Sequence, residues 1–137
     1  MARPGILVDS NIILDLFTRD PEWTPWSKAT LQTYSKTHQL AINVIVYSEL
    51  SLGFDRVEAL DAALVKIGVR LRPLPKEALF LAARAFKSYR RRGGTRTSTL
   101  PDFFIGAHAA AEGLPLITRD AKRYQTSYPK LRLISPP

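Results

Sequence analysis

At 137 residues, with 45% hydrophobic and 23% charged content, the chain has the size and make-up of one soluble globular domain spanning 1–137. It contains no cysteine, which excludes disulfides, zinc ribbons and thiol nucleophiles and fits a reducing compartment. Twenty Lys and Arg against twelve Asp and Glu leave +8, which points to a polyanionic partner, nucleic acid before an anionic membrane surface; solubility alone is the plain alternative.

Asp9 and Asp15 interrupt the apolar N-terminus, so it does not read as a signal peptide. No apolar run approaches the roughly 20 residues a membrane helix needs. The expected location is the cytoplasm, with no membrane partner.

Ile6–Val8 reads as a buried strand and Asn11–Phe17 as the helix that follows it, with Ile12, Ile13 and Leu16 on one side. Asp20–Trp26 reads as a connector, because Pro21 and Pro25 would each break a helix. Ser27–Thr37 is then a second helix, Leu40–Asn43 a short strand, and Val44–Gly53 a helix carrying Glu49. Arg56–Ile67 is amphipathic and stops at Gly68. Val69–Leu74 is a third strand, bounded by Pro73 and Pro75.

Lys76–Arg92 is the longest expected helix, with Leu79, Ala82, Phe86 and Tyr89 as its apolar stripe. A polar loop, Gly93–Thr99, leads to a helix over Leu100–Glu112, with Pro101 where proline is tolerated and Gly113 as the stop. Leu114–Thr118 is a fourth strand, Asp120–Tyr124 a helical turn, and Leu131–Ile134 the last strand. Strands alternating with helices predict an α/β fold, a parallel sheet covered on both faces. Right-handed crossovers then align the carboxyl ends of the strands along one edge, where open α/β sheets bind ligands.

Four acids are candidates for that edge. Asp9 ends the first strand, Asp120 follows the fourth after one residue, Glu49 lies in the helix after the second strand, and Asp102 opens the helix before the fourth. Singly, Asp9, Asp102 and Asp120 each read as helix caps, and Glu49 as a solvated helix face. Together the balance reverses, because clustered carboxylates raise one another's pKa values and a cation removes that penalty. Oxygen ligands without Cys, and without His near the strand ends, select a hard ion, Mg²⁺ or Mn²⁺. An acidic metal pocket on a basic surface is what a nuclease needs.

Val8–Ile13, Tyr47–Leu50, Pro101–Ile105 and Leu116–Asp120 resemble, in order and spacing, the four acidic motifs of PIN-domain ribonucleases, and most of all the VapC toxins of bacterial toxin–antitoxin pairs. The resemblance covers nearly the whole chain. It implies a three-layer α/β/α sandwich with a parallel central sheet and Mg²⁺- or Mn²⁺-dependent endoribonuclease activity. It also implies a homodimer and inhibition by a cognate VapB-type antitoxin. Carried over by motif, Asp9, Glu49, Asp102 and Asp120 are the catalytic, metal-binding acids. Thr118 matches the family's hydroxyl beside the site, and Asn11 is read as orienting a ligand or water.

Arg90, Arg91, Arg92 and Arg96 flank the loop to Asp102 and are read as RNA contacts, against a solvated helix end whose Arg residues complement its dipole. Trp23 and Trp26 are read as packing on the second helix, with base stacking or an antitoxin anchor as the alternatives. His108 reads as a core or surface histidine rather than a base, and Arg119 is assigned to the other face with no role. Asp15 stands open between support of the site and a plain helix-face acid. The competing reading is a non-catalytic RNA-binding module, which has no need of four acids at one edge. A phosphoacceptor domain lacks its Lys after the last strand, where Ser135 stands. A haloacid-dehalogenase-like phosphatase lacks its second Asp, where Asn11 stands.

Overall fold

The computed structural model describes residues 3–93 and 99–137. Its elements in chain order are β1 (Gly5–Val8), α1 (Ser10–Thr18), α2 (Thr24–Ser35), β2 (Gln39–Ile42), α3 (Val44–Ser51), α4 (Val57–Lys66), β3 (Arg70–Leu71), α5 (Lys76–Arg91), α6 (Leu100–Glu112), β4 (Leu116–Ile117), α7 (Lys122–Gln125) and β5 (Leu133–Ile134). The strands form one parallel sheet in the order β3-β2-β1-β4-β5. β1 is central and every residue in it is buried, as an apolar run covered on both faces must be.

The order of the strands explains the layers. The chain moves from β1 through β2 to β3 in one direction, then crosses back to β4 and continues to β5 in the other. Right-handed crossovers therefore put α1–α4 on one face and α5–α7 on the other. Within each layer α1 meets α2 and α3, α3 meets α4, and α6 meets α5 and α7; α3 also meets α6, which joins the two layers. The fold is the expected α/β/α sandwich. Between β1 and β4 the direction of winding reverses, and such a switch point opens a crevice at the carboxyl ends of the strands.

The buried apolar residues form two clusters, a larger one that includes the sheet and helices of both layers and a smaller one between α5 and α6. The larger joins Ile6, Val8, Ile12, Ile42, Leu50 and Ile117. The smaller packs Ala78 and Ala82 of α5 against Phe103 and Ala107 of α6, with Tyr128. The α5 face differs from the expected stripe. Ala82, Phe86 and Tyr89 do face inward, but Leu79 is exposed, and Ala78 takes the buried place. Small side chains let α5 and α6 approach closely, which a reading by hydrophobicity alone ranks below Leu.

Pro25 does not break a helix. It occupies the first turn of α2, where its missing N–H has no intrahelical partner to lose, so the helix begins at Thr24 rather than Ser27. Asn43 is not a strand residue. It is the N-cap of α3, and its side-chain oxygen accepts from the amides of Ile45 and Val46 at 3.0 Å. β3, β4 and β5 are each two residues long, shorter than expected. The expected stop at Gly113 holds: it closes α6 in the left-handed conformation at φ 65. No helix among the described residues is long and apolar enough to cross a membrane.

Candidate active site

Asp9 leaves β1 and caps α1, its backbone amide donating to Ile117 of β4 at 2.9 Å. That bond seats it at the switch point beside Thr118. Its two oxygens are used differently. Oδ1 accepts from the Ser10 amide at 2.8 Å, and Oδ2 accepts from the Thr118 hydroxyl and the Tyr124 phenol, each at 2.8 Å. Burial raises the Asp9 pKa; the Thr118 and Tyr124 hydrogen bonds oppose that rise, and the nearby charge of Asp102 adds to it.

Glu49 stands on α3 and points toward the same charges. Burial raises its pKa, a hydrogen bond from Ser10 opposes this, and the charges of Asp9 and Asp102 raise it further. Its Oε1 is buried and has no hydrogen-bond partner. A buried acceptor left unsatisfied costs about 1–3 kcal/mol, so it marks a position suited to a cation or a donor.

Asp102 takes part in the capping box the sequence suggests. Its Oδ2 accepts from the Thr99 amide at 2.8 Å and the Thr99 hydroxyl at 3.0 Å. The cap and the site are therefore not alternatives, since Oδ1 faces a different neighbour, the Arg123 guanidinium, at 3.8 Å. Asp120 is the outermost of the four. It accepts from the Asn11 amide group at 3.2 Å, and its own amide donates to the Thr118 hydroxyl at 3.0 Å. Asn11 thus spans the two strand ends, because its oxygen also receives the Arg119 amide at 3.4 Å.

The structure brings Asp9, Glu49 and Asp102 within one another's fields and ties Asp120 to them through Thr118 and Arg123. Among the described residues, no three acidic or histidine side chains are drawn together closely enough to hold an ion as they stand. Mutual repulsion favours this spread, each acid turning to a neutral or cationic neighbour of its own.

Arg119 departs from expectation. Its guanidinium makes a bidentate pair with the buried Asp15, at 2.9 and 3.0 Å, and lies 5.0 Å over the Trp23 ring. Asp15 also accepts from Ser27 of α2 at 2.7 Å. Asp15 is thus not an exposed helix-face acid but the anchor that locks α1, α2 and the turn before Asp120 together. Trp23 packs under Arg119, and Trp26 packs on the larger core. His108 is a core residue, fully buried between Asn43, at 3.2 Å, and Glu112. Burial lowers its pKa.

Arg90, Arg91 and Arg92 are exposed at the end of α5. Phe86 meets Phe103 edge-on and Tyr89 meets it at a tilt, and Phe103 neighbours Asp102, so this end of α5 lies at the Asp102 end of α6. Arg96 lies outside the described residues. Sequence reading missed Tyr124 and Arg123. The single signal for Tyr124 is one aromatic in the otherwise polar turn Lys122–Gln125, which ordinarily indicates packing.

Residues 6–127 match the model of the PIN domain. The chain belongs to the PIN-domain family. Solved structures similar to this PIN domain carry the same fold at low identity. The VapBC2 structure from Rickettsia felis, bound to a promoter DNA fragment, matches with a TM-score of 0.74 at 21% identity, over 95% of this chain and 97% of that one. A toxin–antitoxin complex from Klebsiella pneumoniae gives 0.70 at 23%, over 97% and 98%. VapBC-1 from nontypeable Haemophilus influenzae gives 0.71 at 19%, over 95% and 96%. No curated protein sequence matches the chain.

Proposed function

We propose that this PIN domain is a metal-dependent endoribonuclease, the VapC-type toxin of a type II toxin–antitoxin pair. The observation that carries the reading is the set of acids at the β1–β4 switch point, with Asp9 and Asp102 buried, Glu49 Oε1 buried without a hydrogen-bond partner, and the charges of Asp9 and Asp102 raising the Glu49 pKa. An all-oxygen, like-charged set of this kind fits a hard divalent ion, Mg²⁺ or Mn²⁺.

Asp9, Glu49, Asp102 and Asp120 would hold the metal. When bound, it would lower the pKa of a coordinated water and offset the charge developing on the phosphodiester. The chain's own residues set up that chemistry. Thr118 and Tyr124 fix Asp9 through one oxygen and leave the other directed by the Ser10 amide. Asn11 orients Asp120. Arg90, Arg91 and Arg92, exposed at the Asp102 end of α6, supply cations for the RNA backbone, and the net charge of +8 favours its approach. The same reading supplies the partners: an RNA substrate, a VapB-type antitoxin and a second copy in a homodimer. Its support is the likeness to toxin–antitoxin complexes and the exposed Leu79 and Phe80 on α5.

The test is cleavage of end-labelled RNA by the purified chain with Mg²⁺ or Mn²⁺, with EDTA, and with metal restored after EDTA. Cutting that stops with EDTA and returns with metal supports the reading. Cutting that persists in EDTA, or RNA binding without cutting under every metal condition, overturns it.

A further inference from the structure

The acid pocket already contains a cation of the protein's own. The Arg123 guanidinium, projecting from α7, places Nε 3.7 Å from Asp120 Oδ2 and a terminal nitrogen 3.8 Å from Asp102 Oδ1. Its charge also acts on Glu49, whose pKa it pulls down. One side chain therefore serves three of the four acids. Both contacts exceed the 2.7–3.2 Å of an N–H···O hydrogen bond, so each acts through charge rather than directional bonding. The side chain is 42% exposed, which gives it room to turn toward solvent.

Building on the metal-site reading above, we propose that Arg123 is a resident counter-ion of the acid pocket, displaced from the carboxylates when a divalent metal binds. Two cations that use the same acids oppose each other, and by linkage each weakens the other's hold on the site. Arg123 thus holds the acids together without metal and makes metal binding competitive. Asp102 Oδ2 remains in its capping box with Thr99 while Oδ1 faces Arg123, so the exchange frees Oδ1 without unwinding the start of α6.

The test is calorimetric titration of Mn²⁺, without RNA, into the full chain as wild type, Arg123→Gln and Arg123→Lys at one ionic strength. The Gln variant, which loses the charge, is expected to bind Mn²⁺ on the order of ten-fold more tightly, the scale of one screened cation–cation repulsion a few ångströms apart. The Lys variant keeps the charge and stays within about two-fold of wild type, which a role resting on the shape of the guanidinium would not allow. Without metal, Arg123→Gln melts at a lower temperature than wild type, and Mn²⁺ raises its Tm by more. Equal or weaker Mn²⁺ binding by Arg123→Gln, beside a wild type that binds, overturns the inference and leaves the metal site standing. Absence of Mn²⁺ binding by all three proteins overturns both.

Discussion

Tyr124 and Asp9 meet across the end of the sheet: the phenol donates to Asp9 Oδ2 at 2.8 Å, the oxygen that Thr118 also reaches. Two hydroxyls on one oxygen fix the rotation of the carboxylate. They also oppose the effect of burial, which would otherwise keep the proton on Asp9 to higher pH.

Tyr124→Phe keeps the ring and removes only this bond. Loss of such a supporting hydrogen bond is expected to lower metal affinity and cleavage rate on the order of ten-fold. The acid limb of the rate–pH profile should move to higher pH, because Asp9 loses a bond that favours its ionised form. RNA binding in the absence of metal should not change. Profiles that superimpose with wild type would show that Tyr124 is only packing.

Gly106 on α6 is the surface on which this tyrosine rests. A Cβ there would stand 2.5 Å from the Tyr128 ring and 3.0 Å from Tyr124. Gly106→Ala is therefore expected to destabilise the chain by about 1–3 kcal/mol, the cost of overpacking a filled core. It should also weaken metal binding as Tyr124 is pushed off Asp9. Urea unfolding with and without Mn²⁺ measures both effects.

The Asp15–Arg119 pair carries the turn before Asp120. Breaking a fully buried pair by removing one partner costs roughly 3–5 kcal/mol, and because Arg119 is a quarter exposed, solvent screening brings Arg119→Ala below that range, to about 2–3 kcal/mol. Arg119→Lys keeps the charge but loses the bidentate geometry and the stacking on Trp23, so it should recover only part of that loss. Denaturant midpoints for the two variants check the order.

Both Asp9 and Glu49 have pKa values raised above 3.8 and 4.5, the ordinary values that apply when the chain unfolds. The fold therefore holds these protons more tightly than the unfolded chain does. Their contribution to stability is complete below pH of about 4 and is lost as pH rises through the raised folded values. Without metal, Tm should include a component that falls over that window, flattened in Asp9→Asn. Saturating Mn²⁺ favours the ionised acids and should remove the decline. Glu112, whose pKa is lowered by Arg72 and His108 against the effect of burial, contributes with the opposite sign and loses its stabilisation as pH falls. Melts of wild type and Asp9→Asn from pH 4 to 8 separate the two components.

Three of the four candidate acids are legible from a local pattern: Asp9 directly after an apolar strand, Asp102 in a capping box, Asp120 just past β4; Glu49 is marked only by its helix. What joins them is not legible in this way. Arg119 reads as a residue without a role because its partner Asp15 lies 104 positions away, where no local pattern pairs them. The bond from Tyr124 to Asp9 spans 115 positions, and its direction depends on how α7 is rotated on the sheet, which no local window records. Pro25 and Leu79 differ from expectation for related reasons. The effect of Pro25 depends on its place in the first turn of α2, and the burial of Leu79 on a helix pair governed by close approach of alanines.

The most direct test of the account is cleavage of RNA by wild type and Asp9→Asn in saturating Mn²⁺, with RNA binding measured on the same preparations. Asp9→Asn is expected to bind RNA as wild type does and to cut it at least about 100-fold more slowly, the scale of losing a group that stabilises charge in the transition state. Equal cutting by the two proteins would contradict it.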